Sequence, residues 1–163
     1  MAAKLSVKGM DDLLGALQSV SGDADGIIAK AMYDAVGTLK DEVIKNIRQL
    51  PEDPGYKKTG VQRAVVTPDE KQDLIEHLGI ATFTKRGGKI STAIGFNGYS
   101  RHKTKKYPGG VPIPMIARSI ESGSSVRIKH PFVRKAASVL KDRISQDMQQ
   151  RISDEIRTIM GGQ

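Results

Sequence analysis

Apolar residues recur in steps of three and four along much of this chain, and the places where the step changes divide it into elements. Leu5-Ser-Val-Lys alternates apolar with polar, which predicts a short strand. From Met10 to Val20 the spacing puts Leu13, Leu14 and Leu17 on one helical face. Ser21-Gly22-Asp23 offers N-cap chemistry, and Ile28, Met32, Ala35, Val36, Leu39, Val43, Ile47 and Leu50 then mark the clearest helix of the first half. Pro51, Pro54 and Gly55 should end it, because proline lacks the amide donor and pushes its predecessor away from helical geometry. Val61 to Val66 is short enough to be either a helical turn or an extended segment. Pro68-Asp69-Glu70 reads as a helix start, with acidic groups at the positive end of the dipole, and the pattern runs to Leu78-Gly79.

The period then becomes two. Ile80 to Lys85 and Lys89 to Phe96 flank Arg86-Gly87-Gly88, a hairpin signal, with Ile90, Thr92, Ile94 and Phe96 on one face. Residues 97–112, NGYSRHKTKKYPGGVP, combine glycine, proline and positive charge with little to bury, so an exposed, mobile loop is expected there. Pro114 to Ser122 predicts a short helix with Ile116, Ala117 and Ile120 inward and Gly123 as a left-handed terminator. From Phe132 every fourth residue is apolar: Ala136, Leu140, Ile144, Met148, Ile152, Ile156 and Met160. A helix of about 28 residues there would span roughly 42 Å, long for one domain. The glycine-proline elbow before it, between Gly123 and Phe132, calls for a physical reason.

The 163 residues form a single domain on this reading, and 38% apolar content fills a modest core. The chain has no cysteine, which excludes disulfides, thiolate metal sites and cysteine nucleophiles. With no apolar run near the roughly 20 residues of a membrane span, it is expected to be soluble and unexported. The net charge of +8 is concentrated in the middle. Residues 1–76 carry 10 Lys/Arg against 13 Asp/Glu, residues 77–141 carry 13 against 1, and residues 142–163 carry 3 against 4. So one-sided a block raises a potential that suits nucleic acid phosphates or an acidic protein surface.

Catalytic patterns do not hold up. Arg86-Gly87-Gly88-Lys89-Ile90-Ser91 lacks the hydroxyl after the lysine and the leading glycine of a phosphate loop. Gly123-Ser124-Ser125 does not frame a serine nucleophile. His77, His102 and His130 are scattered, and no metal or cofactor is expected. Glu76 beside His77 would point elsewhere on a helix, and Asp41-Glu42 and Asp69-Glu70 suit helix faces and first turns. Seven Lys/Arg between Lys85 and Lys106, with Tyr99 and Tyr107 as stacking platforms, would support an alternative function, nonspecific nucleic-acid binding.

The ordered features are similar to those of the neck and tail-completion protein family of long-tailed double-stranded DNA bacteriophages. The resemblance covers nearly the whole chain. It rests on Leu5-Ser-Val-Lys-Gly-Met-Asp-Asp-Leu, the helix leading to Pro51, Lys58-Thr59-Gly60 with Val61 and Val65, Ala117-Arg-Ser-Ile-Glu-Ser-Gly123, and Pro131-Phe132-Val-Arg-Lys-Ala136. Val61, Ala64 and Lys135 depart from the usual leucine, serine and proline, and residues 68–78 look like a helical insertion. The resemblance implies an α+β domain, with a small antiparallel sheet against helices and a long C-terminal helix. It also implies a non-enzymatic virion protein, assembled in the host cytoplasm as a homo-oligomeric, hexameric ring. The expected partners are the tail terminator, tail tube or head connector, with nonspecific contact to genomic DNA and none to membrane. Interface positions expected on this reading are Arg101, Lys103, Lys105 and Lys106 in the loop, Arg127, Lys129 and Phe132 at the elbow, and Ile144, Met148 and Ile152 on the last helix.

Overall fold

The computed structural model describes residues 2–4, 11–20, 22–53, 63–86 and 89–161. Its elements run β1 (Ala2–Lys4), α1 (Asp11–Val20), α2 (Ala24–Arg48), α3 (Pro68–Glu76), β2 (Leu78–Ile80), β3 (Thr84–Arg86), β4 (Lys89–Ser91), β5 (Ala93–Phe96), α4 (Ile113–Ser122) and α5 (Val133–Gly161). The class is α+β. A three-stranded antiparallel sheet in the order β1-β5-β2 and a two-stranded ladder of β3 and β4 lie with the helices. Leu5-Ser-Val-Lys, Pro54-Gly55, Lys58-Thr59-Gly60 and the Gly87-Gly88 pair, where a hairpin turn was expected, fall outside the described residues.

α2 and α5 form the frame, and the spacing of their apolar residues explains why. Every position in the α2 stripe from Ile28 through Ile47 is buried, as is Leu50 just beyond the helix. On α5, Val133, Ala136, Leu140, Ile144, Met148 and Ile152 are buried. A row of side chains four apart is inclined to the helix axis, so it meets successive neighbours rather than one. α5 accordingly packs on α2, α1 and β1 in turn. The two helices run antiparallel: Asn46 near the end of α2 donates to the Phe132 carbonyl at the start of α5 (3.0 Å), and Arg151 late in α5 pairs with Asp34 early in α2 (2.6 Å). Beyond Ile152 the burial of the stripe falls. Ile156 and Ile159 are half-buried, and Met160 is 63% exposed.

α3 starts on a capping box: Thr67 Oγ1 accepts from the Glu70 amide (3.2 Å), and the Glu70 carboxylate accepts from the Thr67 amide (3.0 Å). It stops at Glu76, earlier than the apolar pattern predicts, because Leu78 is drawn into β2 opposite Phe96. The expected single hairpin is also divided. Ile80 pairs with Ile94 and Thr84 with Ser91, so residues 81–83 on one side face only 92–93 on the other. The extra residue makes a bulge, which breaks the ladder and raises local twist. Thr92 Oγ1 bridges the break by donating to the Ala81 carbonyl at 2.7 Å. Thr92, Ile94 and Phe96 are buried, whereas Ile90, past the bulge, is half-buried. Residues 63–66 are extended: Arg63 donates to the Val126 carbonyl (2.9 Å) and accepts from the Ile128 amide (2.8 Å).

Candidate partner-docking face

Among the 65 residues from 77 to 141 the sequence has one acidic side chain, Glu121, and the fold hides it completely. Glu121 ends α4 facing the start of α5. Its Oε2 accepts the amides of Phe132 (2.7 Å) and Val133 (2.8 Å), and its Oε1 accepts the Arg134 amide (3.0 Å) and Arg134 Nε (2.9 Å). A carboxylate thus satisfies amides that the first turn of a helix leaves unpaired, at the positive end of the dipole. This is the reason for the elbow. Gly123 turns the chain at φ +77°, the His130 amide returns to the Ile120 carbonyl (2.7 Å), and Phe132 inserts edge-on against Phe96 with ring centroids 6.0 Å apart. Nothing in the sequence singled out Glu121, since a lone acid near the end of a short helix is a weak signal without the fold.

Hiding this carboxylate leaves the surface of the segment cationic. The loop between β5 and α4 carries four of its thirteen basic residues, and backbone bonds brace it. Ser100 donates to Val111 (2.9 Å), Val111 to His102 (3.1 Å), Ile113 to Gly98 (3.1 Å), and Thr104 and Tyr107 exchange bonds at 3.1 Å. Gly110 permits the close crossing, since a Cβ there would lie 2.2 Å from the Ser100 carbonyl oxygen. The expected mobile loop is therefore a hydrogen-bonded platform.

Arg101 is its foot. The Arg101 amide donates to the Asp73 carboxylate (3.0 Å), its Nη1 lies 3.3 Å from the buried Asp73 Oδ1, and its Nη2 pairs with Glu76 at 2.5 Å. Bonds from Gln72 and then Arg101 hold the Glu76 carboxyl below its ordinary range, and the bond and charge of Glu76 raise Arg101. Asp73, Glu76 and His77 bring one ligand atom each within 4.8 Å of one another, an arrangement that the scattered histidines did not predict. Asp73 to His77 is one helical turn, so the spacing was there to read. The Arg101 guanidinium stands against both carboxylates, and the His77 ring nitrogen Nδ1 is bonded to the Asp73 carbonyl (3.0 Å), so the cluster serves as an anchor.

Lys103, Lys105 and Lys106 project from the platform, exposed and without an ion-pair partner among the described residues; Lys106 lies 5.6 Å from the Tyr107 ring centroid. Tyr99, 65% exposed, and Met115 flank the base of the loop, where Tyr99 pairs with Pro112. Lys129 is exposed beside the elbow, close to exposed Ile128 and Val126.

The remaining expected interface residues lie inside the chain, which corrects their assignment. Phe132, Ile144, Met148 and Ile152 are buried core residues: a four-residue stripe is satisfied by α1, α2 and β1 before any neighbour can reach it. Arg127 is buried as well. It shares the Glu70 carboxylate with Arg63, at 2.7 Å and 2.5 Å, and so ties the elbow to α3.

A second surface lies at the other end of the α2–α5 pair. The first turns of α2 and the last turns of α5 enclose a cleft of about 430 Å³ over Ile27 and Ala31. Its charged groups are Asp23, Asp34, Asp154 and Glu155 with Lys30 and Arg151. Among the described residues no helix is long and apolar enough to cross a membrane. Comparison of the chain with protein-family models, with curated proteins and with solved structures finds no match.

Proposed function

We propose that this chain is a non-enzymatic structural protein of a long-tailed double-stranded DNA bacteriophage, located in the virion at the tail and neck. It completes the tail and supports head-to-tail joining as a ring between the tail tube or terminator and the head connector. The family resemblance motivates this reading, and the single observation carrying it further is the braced loop that holds Lys103, Lys105 and Lys106 out from the body, with no ion pair among the described residues. A rigid cationic platform loses less conformational freedom on docking than a floppy one. Polar groups that chemistry could use are engaged structurally: Glu70 by two arginines, Asp73 by Arg101, and Glu121 by the start of α5.

The test is the triple variant K103E/K105E/K106E made in the phage. Expected is a normally folded protein and separate heads and tails in electron micrographs of lysates. Normal infectious yield would remove the loop from any joining role. The alternative, nonspecific DNA binding, draws on the same lysines and on exposed Tyr99. It predicts duplex affinity in the isolated protein that falls steeply with salt and disappears in the triple variant.

A further inference from the structure

The loop between β5 and α4 is a hydrogen-bonded ribbon with a lysine tip and an apolar base. Thr104 and Tyr107 exchange backbone bonds at 3.1 Å, so Lys105 and Lys106 form the turn at its end. At the base Tyr99 pairs with Pro112, whose carbonyl accepts the Met115 amide at 3.0 Å in the first turn of α4. Tyr99 and Met115 thus stand on backbone that is bonded together, yet their side chains are 65% and 47% exposed. Arg118 follows Met115 by three residues on the exposed side of the same helix.

The surroundings of these two side chains stay cationic after every neighbouring charge is counted. Glu70 is taken by Arg63 and Arg127, Lys71 by Glu52, Asp73 and Glu76 by Arg101, and Glu121 by Arg134. Among the charges of α3, the ribbon and α4, this leaves Asp69 against Lys103, Lys105, Lys106 and Arg118. All four basic side chains are exposed, with no ion pair among the described residues.

We infer that Tyr99 and Met115 are the apolar centre of a protein-docking face whose rim is Lys103, Lys105, Lys106 and Arg118, and that the partner protein presents an apolar pocket ringed by carboxylates. This rests on the head-to-tail joining reading and names the chemistry of the surface that the loop meets. Duplex phosphates reward the lysines but gain nothing from a thioether, whereas tyrosine, methionine and arginine are the side chains that protein interfaces concentrate. Charge at the rim orients the encounter, and the apolar pair slows release.

The test uses the purified full chain and three probes. The first is an amphipathic peptide of about 20 residues with leucine at helical spacing and glutamate elsewhere. The others are polyglutamate of the same length and a duplex of about 20 base pairs. The leucine-bearing peptide should bind at least roughly tenfold more tightly than polyglutamate. Y99A/M115A should remove that difference, K103E/K105E/K106E should weaken both acidic probes, and binding should weaken as salt rises from about 0.05 M to about 0.5 M. Circular dichroism checks that both variants fold.

Equal affinity for the two acidic probes, or a leucine advantage that survives Y99A/M115A, would overturn the apolar centre. Absence of binding to the leucine-bearing peptide at about 1 mM overturns the face as a whole. A duplex held more tightly than either peptide, and released in the triple variant, assigns the lysines to nucleic acid instead. Made in the phage, Y99A/M115A should leave heads and tails separate, as the triple variant does. Normal joining in Y99A/M115A with failure in the triple variant overturns the docking centre and leaves the joining role of the loop in place, whereas normal joining in both removes the loop from joining altogether.

Discussion

The Glu121 carboxylate accepts the amide of Phe132, eleven positions further along the chain, at 2.7 Å, joining the end of one helix to the start of another across the elbow. Because the same carboxylate takes Val133 and Arg134, the entry of α5 depends on a single side chain. Removing it in E121A strands buried amides and should lower stability by about 3 kcal/mol. Urea denaturation checks this, and a change below about 1 kcal/mol would mean that water caps the helix equally well.

Gly123 makes the same elbow possible from the other side. At φ +77° a side chain is strained, and its Cβ would stand 3.3 Å from Lys129 Cβ. G123A should cost about 1–3 kcal/mol in a thermal melt, whereas alanine at exposed Gly15 of α1, where nothing lies within 4 Å, should stabilise slightly.

Along α5 the penalty for shortening side chains should fall toward the C-terminus. I152A empties a fully buried position and should cost about 2–4 kcal/mol. M160A, at an exposed one, should change stability of the isolated chain by less than about 0.5 kcal/mol. Equal effects at both sites would mean that the last turns are packed within the chain after all.

The Glu76 carboxyl should titrate below an ordinary glutamate when followed by NMR. Its folded value is depressed, so whatever stability it contributes is present above the unfolded value near 4.3 and is lost as pH falls through the folded one. Q72A and R101A should each raise the titration midpoint, since Gln72 bonds the carboxylate and Arg101 both bonds it and faces it with charge. A midpoint unmoved by either change would deny the anchoring of the loop through Glu76.

The periodic parts of the chain were legible because helix burial is local. Ile28 through Leu50 and Phe132 through Ile152 announce their inward face by spacing alone, and every position of those two stripes is buried. The three loop lysines were legible too, since so dense a basic run has nowhere to hide. Arg101 and Arg127 look identical to them in sequence, yet one is an anchor and the other is buried. That difference depends on which carboxylate the fold delivers: Asp73 is 28 residues from Arg101, and Glu70 is 57 from Arg127. The early stop of α3 and the bulge after Ile80 were likewise decided by pairing with β5.

By itself, then, the sequence determined where helices form, where the core faces lie and which stretch carries the charge, because these follow from side-chain spacing and composition. Only the tertiary structure decided which charges are free. Ion pairs and helix caps require atoms within about 3–4 Å, and the chain brings such atoms together only after residues far apart in sequence have packed.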